Sequence, residues 1–457
     1  MCIRDSNIID KMEKGEYNKV TKYIVKLFKE RGDMKKLIML AMVCILGFSI
    51  SACGKKDKED NHFVFATWAA GTELNELNQI VDKVNEQANG EYVIEVQSIP
   101  SDYYVKISTQ IAGKRSPDFF WMTQELISKY AELGAIADLT NQLEASTRLN
   151  ADHYYEGVLA SATYEGKYWG LPWIANPLMV YYNKTMFDNL GIEAPSVTDD
   201  WTWSEFIDVA RELNGKQNYK GESIYGTVVD GWPNIETFIW AGGGDIIDKD
   251  GKTILLDTQE SLKGVSYLQT MIQEKLTPKY SEVASLGSNN VWFEKQRVGM
   301  FIGGLQDNFE YKVSQMDEKD QFEIGYAPMP VADDGTAWSF DWTASTVMKK
   351  DLEGNSLAYK ALEDLTLAFF EWKVAAPVKG NVENVAVVAP LKEPALETIA
   401  YTLNNARSAN YIPEWSDIND KLWYNLYVKL LNDATFDYES EMKTIADYAR
   451  EKISTRK

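Results

Sequence analysis

Tyr164–Lys184 reads YEGKYWGLPWIANPLMVYYNK, and the folding of this stretch decides the architecture. Glu165-Gly166 lies between runs of strand-favouring residues and predicts a tight hairpin turn, because glycine takes a positive φ without a side-chain clash. The long apolar run after it predicts a strand that crosses the molecule. Beyond Met186-Phe187, Gly191 and Pro195, the segment Trp201-Thr-Trp-Ser-Glu-Phe206 predicts a helix capped by Thr202 or Ser204.

Toward the N-terminus, His62–Thr67 has the pattern of a short strand ending at Trp68. Thr72–Gln87 carries Leu74, Leu77, Ile80, Val81 and Val84 at helical spacing. Tyr92–Ile99 alternates as a second strand, Tyr103–Ala112 is helical, and Ser116–Trp121 forms a third strand. Strand–helix–strand–helix–strand order predicts an α/β layer with a mostly parallel sheet. In such sheets ligands bind beyond the carboxyl ends of the strands, where Trp68 and Trp121 are expected.

The order GK-x-x-GLP, YNK, F-x-x-x-G, P, W-x-E-F resembles the sugar-binding subunits of bacterial ABC importers, the extracellular solute-binding proteins of the maltose-binding type. Phe293–Gly304, Phe322–Pro330 with its G-x-x-P-x-P strand, Ala344–Phe370 and Glu414–Leu430 extend the resemblance over Phe63 to about Lys452. It implies a two-lobed periplasmic-binding-protein-like α/β fold with a hinge and an interlobe cleft. Lobe one would comprise residues 61–173 plus 340–380, and lobe two residues 174–335 plus 381–457. The implied function is carbohydrate binding, with an oligosaccharide expected from the many tryptophans, and delivery to the permease subunits of the importer. No catalysis, cofactor or metal is implied. Neither maltose nor any other particular sugar is implied, since charged residues that maltose binders place after the third strand are replaced here by Met122-Thr123-Gln124-Glu125.

A pyranose has an apolar C–H face and a rim of hydroxyls, each both donor and acceptor; flat indoles and polar side chains suit the two parts. Carried over by position, the resemblance implies a site of Trp68, Trp121, Asn176, Trp232, Gly304, Asp341 and Trp342, with Trp415 on the lobe-two side. Gly303-Gly304 permits close backbone approach. Trp201, Trp203, Trp292, Trp372 and Trp423 fall on helical-period segments and are expected in the core; Trp169 fits either role.

The N-terminal region predicts export. Met34-Lys35-Lys36 precedes the apolar run Leu37–Ile50, 14 residues or about 21 Å of helix, against roughly 30 Å of hydrocarbon core. A basic start, a short apolar centre and small residues are the layout of a signal peptide. Ile50-Ser51-Ala52-Cys53 resembles the bacterial lipobox, implying residues 34–52 as a lipoprotein signal and Cys53 as the lipidated new N-terminus, on the outer face of the cytoplasmic membrane. Residues 53–61 read as a flexible tether, and 1–33 as a spurious or unprocessed extension.

From Cys53 onward the chain has 37 basic and 62 acidic side chains, a formal charge of −25. That surface disfavours nucleic acid and anionic lipid as partners. Cys2 and Cys44 precede Cys53, so the processed chain has no disulfide and no thiol pair for zinc. His62 and His153 are the two histidines, and neither stands in a catalytic motif. Asp245–Gly251 lacks the EF-hand spacing and reads as a turn between short strands. The alternatives to an importer subunit are a carbohydrate-active enzyme, which needs two apposed carboxylates, and a surface sugar receptor outside transport.

Overall fold

A computed structural model describes residues 61–197, 200–372 and 377–456. The signal peptide, Cys53 and nearly all of the tether lie outside the described residues. The first unit runs β1 (His62–Thr67), α1 (Gly71–Ala88), β2 (Val93–Ser98), α2 (Tyr103–Ala112), β3 (Phe119–Thr123) and α3 (Gln124–Glu132). β1 pairs in parallel with β2 and with β3. After the hairpin Thr163–Tyr164/Lys167–Tyr168, whose turn residues Glu165 and Gly166 both have positive φ, comes the long strand β4 (Leu171–Asn183). Its successors are α4 (Trp203–Leu213), α5 (Ile235–Ala241), α6 (Gln259–Gln273), β5 (Met300–Gly304), β6 (Ile324–Ala327), β7 (Ser339–Met348) and α7 (Ser356–Phe369). α8 (Leu396–Asn404) and a short β8 (Ala406–Arg407) precede the C-terminal helices.

The sheet order is β2-β1-β3-β7-β4-β5, with β8 on β7 and β6 on β4. The expected parallel layer is formed by β1, β2 and β3, and antiparallel strands extend it: β7 runs antiparallel to both β3 and β4, and β4 is antiparallel to β5 and β6. β4 pairs with β7 from Leu171 to Pro177, then with β5 and β6 from Leu178 and Val180 onward. Pro177 stands at the change of partner, where a residue with no N–H to donate is least disruptive.

Both faces of the β1–β3 sheet are covered. Phe63, Phe65, Phe119 and Trp121 enter one apolar cluster with Trp173, Leu362 and Phe369. Ala66, Phe120 and Met122 enter another with Tyr103, Ile107 and Tyr130. A further cluster surrounds α4, α5, α6 and the C-terminal helices, with Trp203, Phe238, Trp240 and Leu430 at its centre. Thr202 caps α4 with Glu205 in a reciprocal capping box. Thr202→Ala is therefore expected to lower stability by about 1 kcal/mol in a urea titration. Asp248 closes the turn before Gly251, accepting from the Lys252 and Thr253 N–H groups.

Within Glu414–Leu430 the helix changes its winding. Trp415–Lys421 is α-helical, Leu422–Tyr427 widens into π turns, and Val428–Asn432 returns to α. A final helix follows at Tyr438–Ser454. No helix among the described residues is long and apolar enough to cross a membrane.

Candidate functional site

The centre of the site is the point where β4 changes partner. The Asn176 N–H donates to Asp341 Oδ1 at 2.7 Å, and its side-chain oxygen accepts from the Gln306 N–H at 2.8 Å. Gly304 ends β5 directly against this amide; a β-carbon there would lie 2.4 Å from it and would displace the Asn176 side chain. Asp307 accepts from the Gly304 N–H at 2.8 Å and from Asn290 at 3.0 Å. Next to Asn290, Asn289 donates to Asp230 at 2.9 Å, in the turn that carries Trp232. Gln306 Nε2 and Asp341 Oδ2 are buried without a hydrogen-bond partner among the described residues.

From the opposite side come the residues at the end of β3. Gln124 is buried and donates to the Tyr411 hydroxyl at 2.9 Å, while its oxygen accepts from Thr343 Oγ1 at 3.0 Å. Adjacent Glu125 interacts electrostatically with Tyr104, Tyr411 and Glu236. Burial raises the Glu125 carboxyl above the ordinary glutamate range, against hydrogen bonds that lower it. Glu236, in the first turn of α5, is pushed up to about 7 by burial, with Glu125 and Asp245 adding to the rise; its own backbone N–H and Asn234, donating at 2.6 Å, oppose it. Burial also raises Asp230 and, most strongly, Asp341.

The π-turn segment holds the Asp230–Glu236 turn in place. Tyr427 donates its hydroxyl proton to the Pro233 carbonyl. Trp423 covers Gly231, where a β-carbon would come within 2.2 Å of the indole. Gly231 has φ +116°, a second reason for glycine. π turns are enriched beside functional sites, since the extra residue re-aims side chains.

The expected residues divide into three groups. Asn176, Gly304 and Asp341 meet at the strand switch. Trp342, opposite Asn176 on β7, is half-buried and touches two of the apolar clusters. Trp232 is half-buried with its ring 6.0 Å from Phe340. Trp68 is half-buried against Tyr103, Tyr104 and Trp121. Trp121 and Trp415 are corrections. Trp121 is 0% exposed, because β3 continues to Thr123 and turns this ring into the core, stacked on Trp173 at 4.5 Å. Trp415 is 2% exposed and packs edge-on against Tyr411 at 4.8 Å. Of the tryptophans expected in the core, Trp201, Trp203 and Trp292 are buried, whereas Trp372 and Trp423 keep partial exposure. Trp169 is buried, its indole N–H donating to the Tyr164 carbonyl.

Glu125, Glu236, Gln306 and Tyr411 were not among the expected residues. Glu125 had a readable signal: it stands just past the third strand, at the carboxyl end where open α/β sheets place ligands.

Comparison with known proteins bears on this geometry. The family described as bacterial extracellular solute-binding protein matches residues 69–351. The diacetylchitobiose-binding protein of Streptomyces coelicolor is 23% identical over 413 residues, covering 84% of this chain and 91% of its own. Among solved structures, the sugar-binding protein of Xanthomonas citri superposes with a TM-score of 0.71 at 18% identity, covering 86% of this chain and 98% of its own. An ABC substrate-binding protein of Listeria monocytogenes in complex with cycloalternan gives 0.69 at 20% identity, covering 86% and 99%.

Proposed function

This chain belongs to the bacterial extracellular solute-binding proteins, and we propose that it binds an oligosaccharide between Glu125 and Glu236 for delivery to an ABC permease. Such proteins bind solute without chemistry, so the carboxyl groups serve recognition. The observation that carries the reading is the strand switch, where hydrogen bonds link Asp341 to Asn176 and Asn176 to Gln306. It sets polar groups that both donate and accept beside the half-exposed ring of Trp342, paired with Asn176 across the strands, and these match the two surfaces a pyranose presents. Unpaired Gln306 Nε2 and Asp341 Oδ2 offer hydrogen bonds that a hydroxyl-bearing ligand completes. Selectivity follows, because an analogue lacking the matching hydroxyl leaves them unpaired.

The change of partner along β4 supports a hinge between two lobes, 61–173 plus 340–380 and 174–335 plus 381–457, that close over the ligand. A ligand favours closure only through contacts made in the closed state. The Ile50-Ser51-Ala52-Cys53 pattern supports a diacylglycerol anchor at Cys53, which would hold this exported protein beside its permease; two acyl chains suffice for stable attachment.

Titration calorimetry of the protein against malto-, cello- and chito-oligosaccharides tests the reading. At least one is expected to bind. Trp232→Ala should weaken that binding by about 1–3 kcal/mol, the range for stacking on a flat ring, with little change in unfolding midpoint. Heat from peptides alone, with none from any saccharide, contradicts it.

A further inference from the structure

The Trp232 turn and the strand switch are joined by a continuous line of hydrogen bonds. At one end the Trp232 N–H and Asn289 Nδ2 both donate to Asp230 Oδ1, at 3.4 and 2.9 Å. The side-chain oxygen of Asn289 accepts from the Asn290 N–H at 2.8 Å, so this buried amide is committed at both ends. Asn290 Nδ2 then donates to Asp307 Oδ1 at 3.0 Å, and Asp307 Oδ2 accepts from the Gly304 N–H at 2.8 Å. Gly304 lies directly against the Asn176 amide, whose oxygen accepts from the Gln306 N–H.

The chemistry of the side chains accounts for this order. An ionised carboxylate only accepts, so Asp230 and Asp307 each need a donor. Asparagine both donates and accepts, and the Asn289-Asn290 pair can therefore face both acids while bonding to itself. Aspartate at either position would face a second carboxylate. The two asparagines open the short helix Asn289–Glu294, whose Trp292 and Phe293 are buried, so the link rests on a packed element. Resting on the oligosaccharide reading above, we propose that Asn289 and Asn290 are positioning residues that fix the Trp232 ring relative to Asn176 and Gln306. They act through Asp230 and Asp307, without touching the ligand. A saccharide then meets its stacking face and its hydroxyl partners already at the right spacing, and less affinity is lost to ordering them. Fully satisfied polar networks confer this kind of rigidity.

The test is titration calorimetry of the full chain with maltotetraose, cellotetraose and N-acetylchitotetraose, followed by a double-mutant cycle on whichever binds tightest. Asn290→Ala cuts the line between Asn289 and Asp307 and leaves the bonds within each end intact. It is expected to weaken binding about tenfold in the parent and at most about twofold in Trp232→Ala, where no ring is left to place. Asn290→Leu, closer in shape, gives the same reading if the alanine variant does not fold. Hydrogen exchange of the ligand-free chain reads the link a second way: the amides of residues 230–232 are expected to exchange about fivefold faster in Asn290→Ala, with those of α6 unchanged. Equal weakening in both backgrounds, no weakening in the parent, or unchanged exchange at 230–232 overturns the positioning proposal and leaves the oligosaccharide reading intact. Binding of none of the three tetramers overturns both.

Discussion

Replacing Glu236 by glutamine is expected to stabilise the ligand-free protein at pH 8 and to leave its stability unchanged at pH 4. The Glu236 carboxyl is buried and pushed up to about 7, against 4.5 for an ordinary glutamate. The folded state therefore holds a proton that the unfolded chain releases. The stability tied to that proton is fully present below pH 4.5 and is lost as pH rises through 7. The difference corresponds to about 3 kcal/mol at pH 8, and less where Glu125 shares the proton. Glutamine has no charge to desolvate at any pH and can still accept from Asn234. Urea midpoints of parent and variant should coincide at pH 4 and separate with rising pH. Equal destabilisation at both pH values would show that the Glu236 carboxylate is compensated within the protein.

The second large effect concerns the buried lysine behind the strand switch. Lys392 Nζ donates to both Glu310 oxygens at 2.9 and 3.0 Å, to the Asp307 carbonyl at 2.6 Å and to the Tyr181 hydroxyl at 3.3 Å. The side chains of Lys392 and Glu310 are only 2% and 6% exposed. Tyr326 donates to Glu310 as well, at 2.9 Å. Glu310→Ala removes the carboxylate hydrogen-bonded to this buried ammonium, leaving only the charge of Asp307 to act on it, and is expected to lower stability by about 3–5 kcal/mol. Replacing both partners, Glu310→Leu with Lys392→Met, is expected to recover most of that loss, since an apolar pair carries no desolvation penalty. A double variant as unstable as the single would show that packing around Glu310, rather than charge, is at stake. The network ties the segment before α8 to Tyr181 on β4 and to the residues beyond Gly304. It thus braces the strand that carries Asn176.

Local chemistry made much of this architecture readable. The helical period at Leu74–Val84, the glycine of the Glu165-Gly166 turn and the Thr202 cap each correspond to the element observed, because each acts through neighbours in sequence. The fate of Trp121 was not readable. Its strand is covered on both faces, so residues of either parity are buried, and where it ends depends on pairing with β7, far along the chain. The antiparallel insertion of β7 is equally a long-range matter. The π turns at Leu422–Tyr427 answer to Gly231 and Pro233, which no local pattern reports. The site divides in the same way. Asn176 and Gly304 stood at recognisable motifs, whereas the bond from Gln124 to Tyr411 joins residues far apart in the chain. Tryptophan abundance proved a coarse guide, because an indole serves a core as well as it serves a sugar.

The most direct test is a crystal structure of the protein with a calorimetrically selected oligosaccharide. The account predicts an intact saccharide lying between Glu125 and Glu236, one ring against Trp232 or Trp342, with hydrogen bonds to Gln306 Nε2 and Asp341 Oδ2. A saccharide bound away from these residues, or one found cleaved at a glycosidic bond, would contradict it.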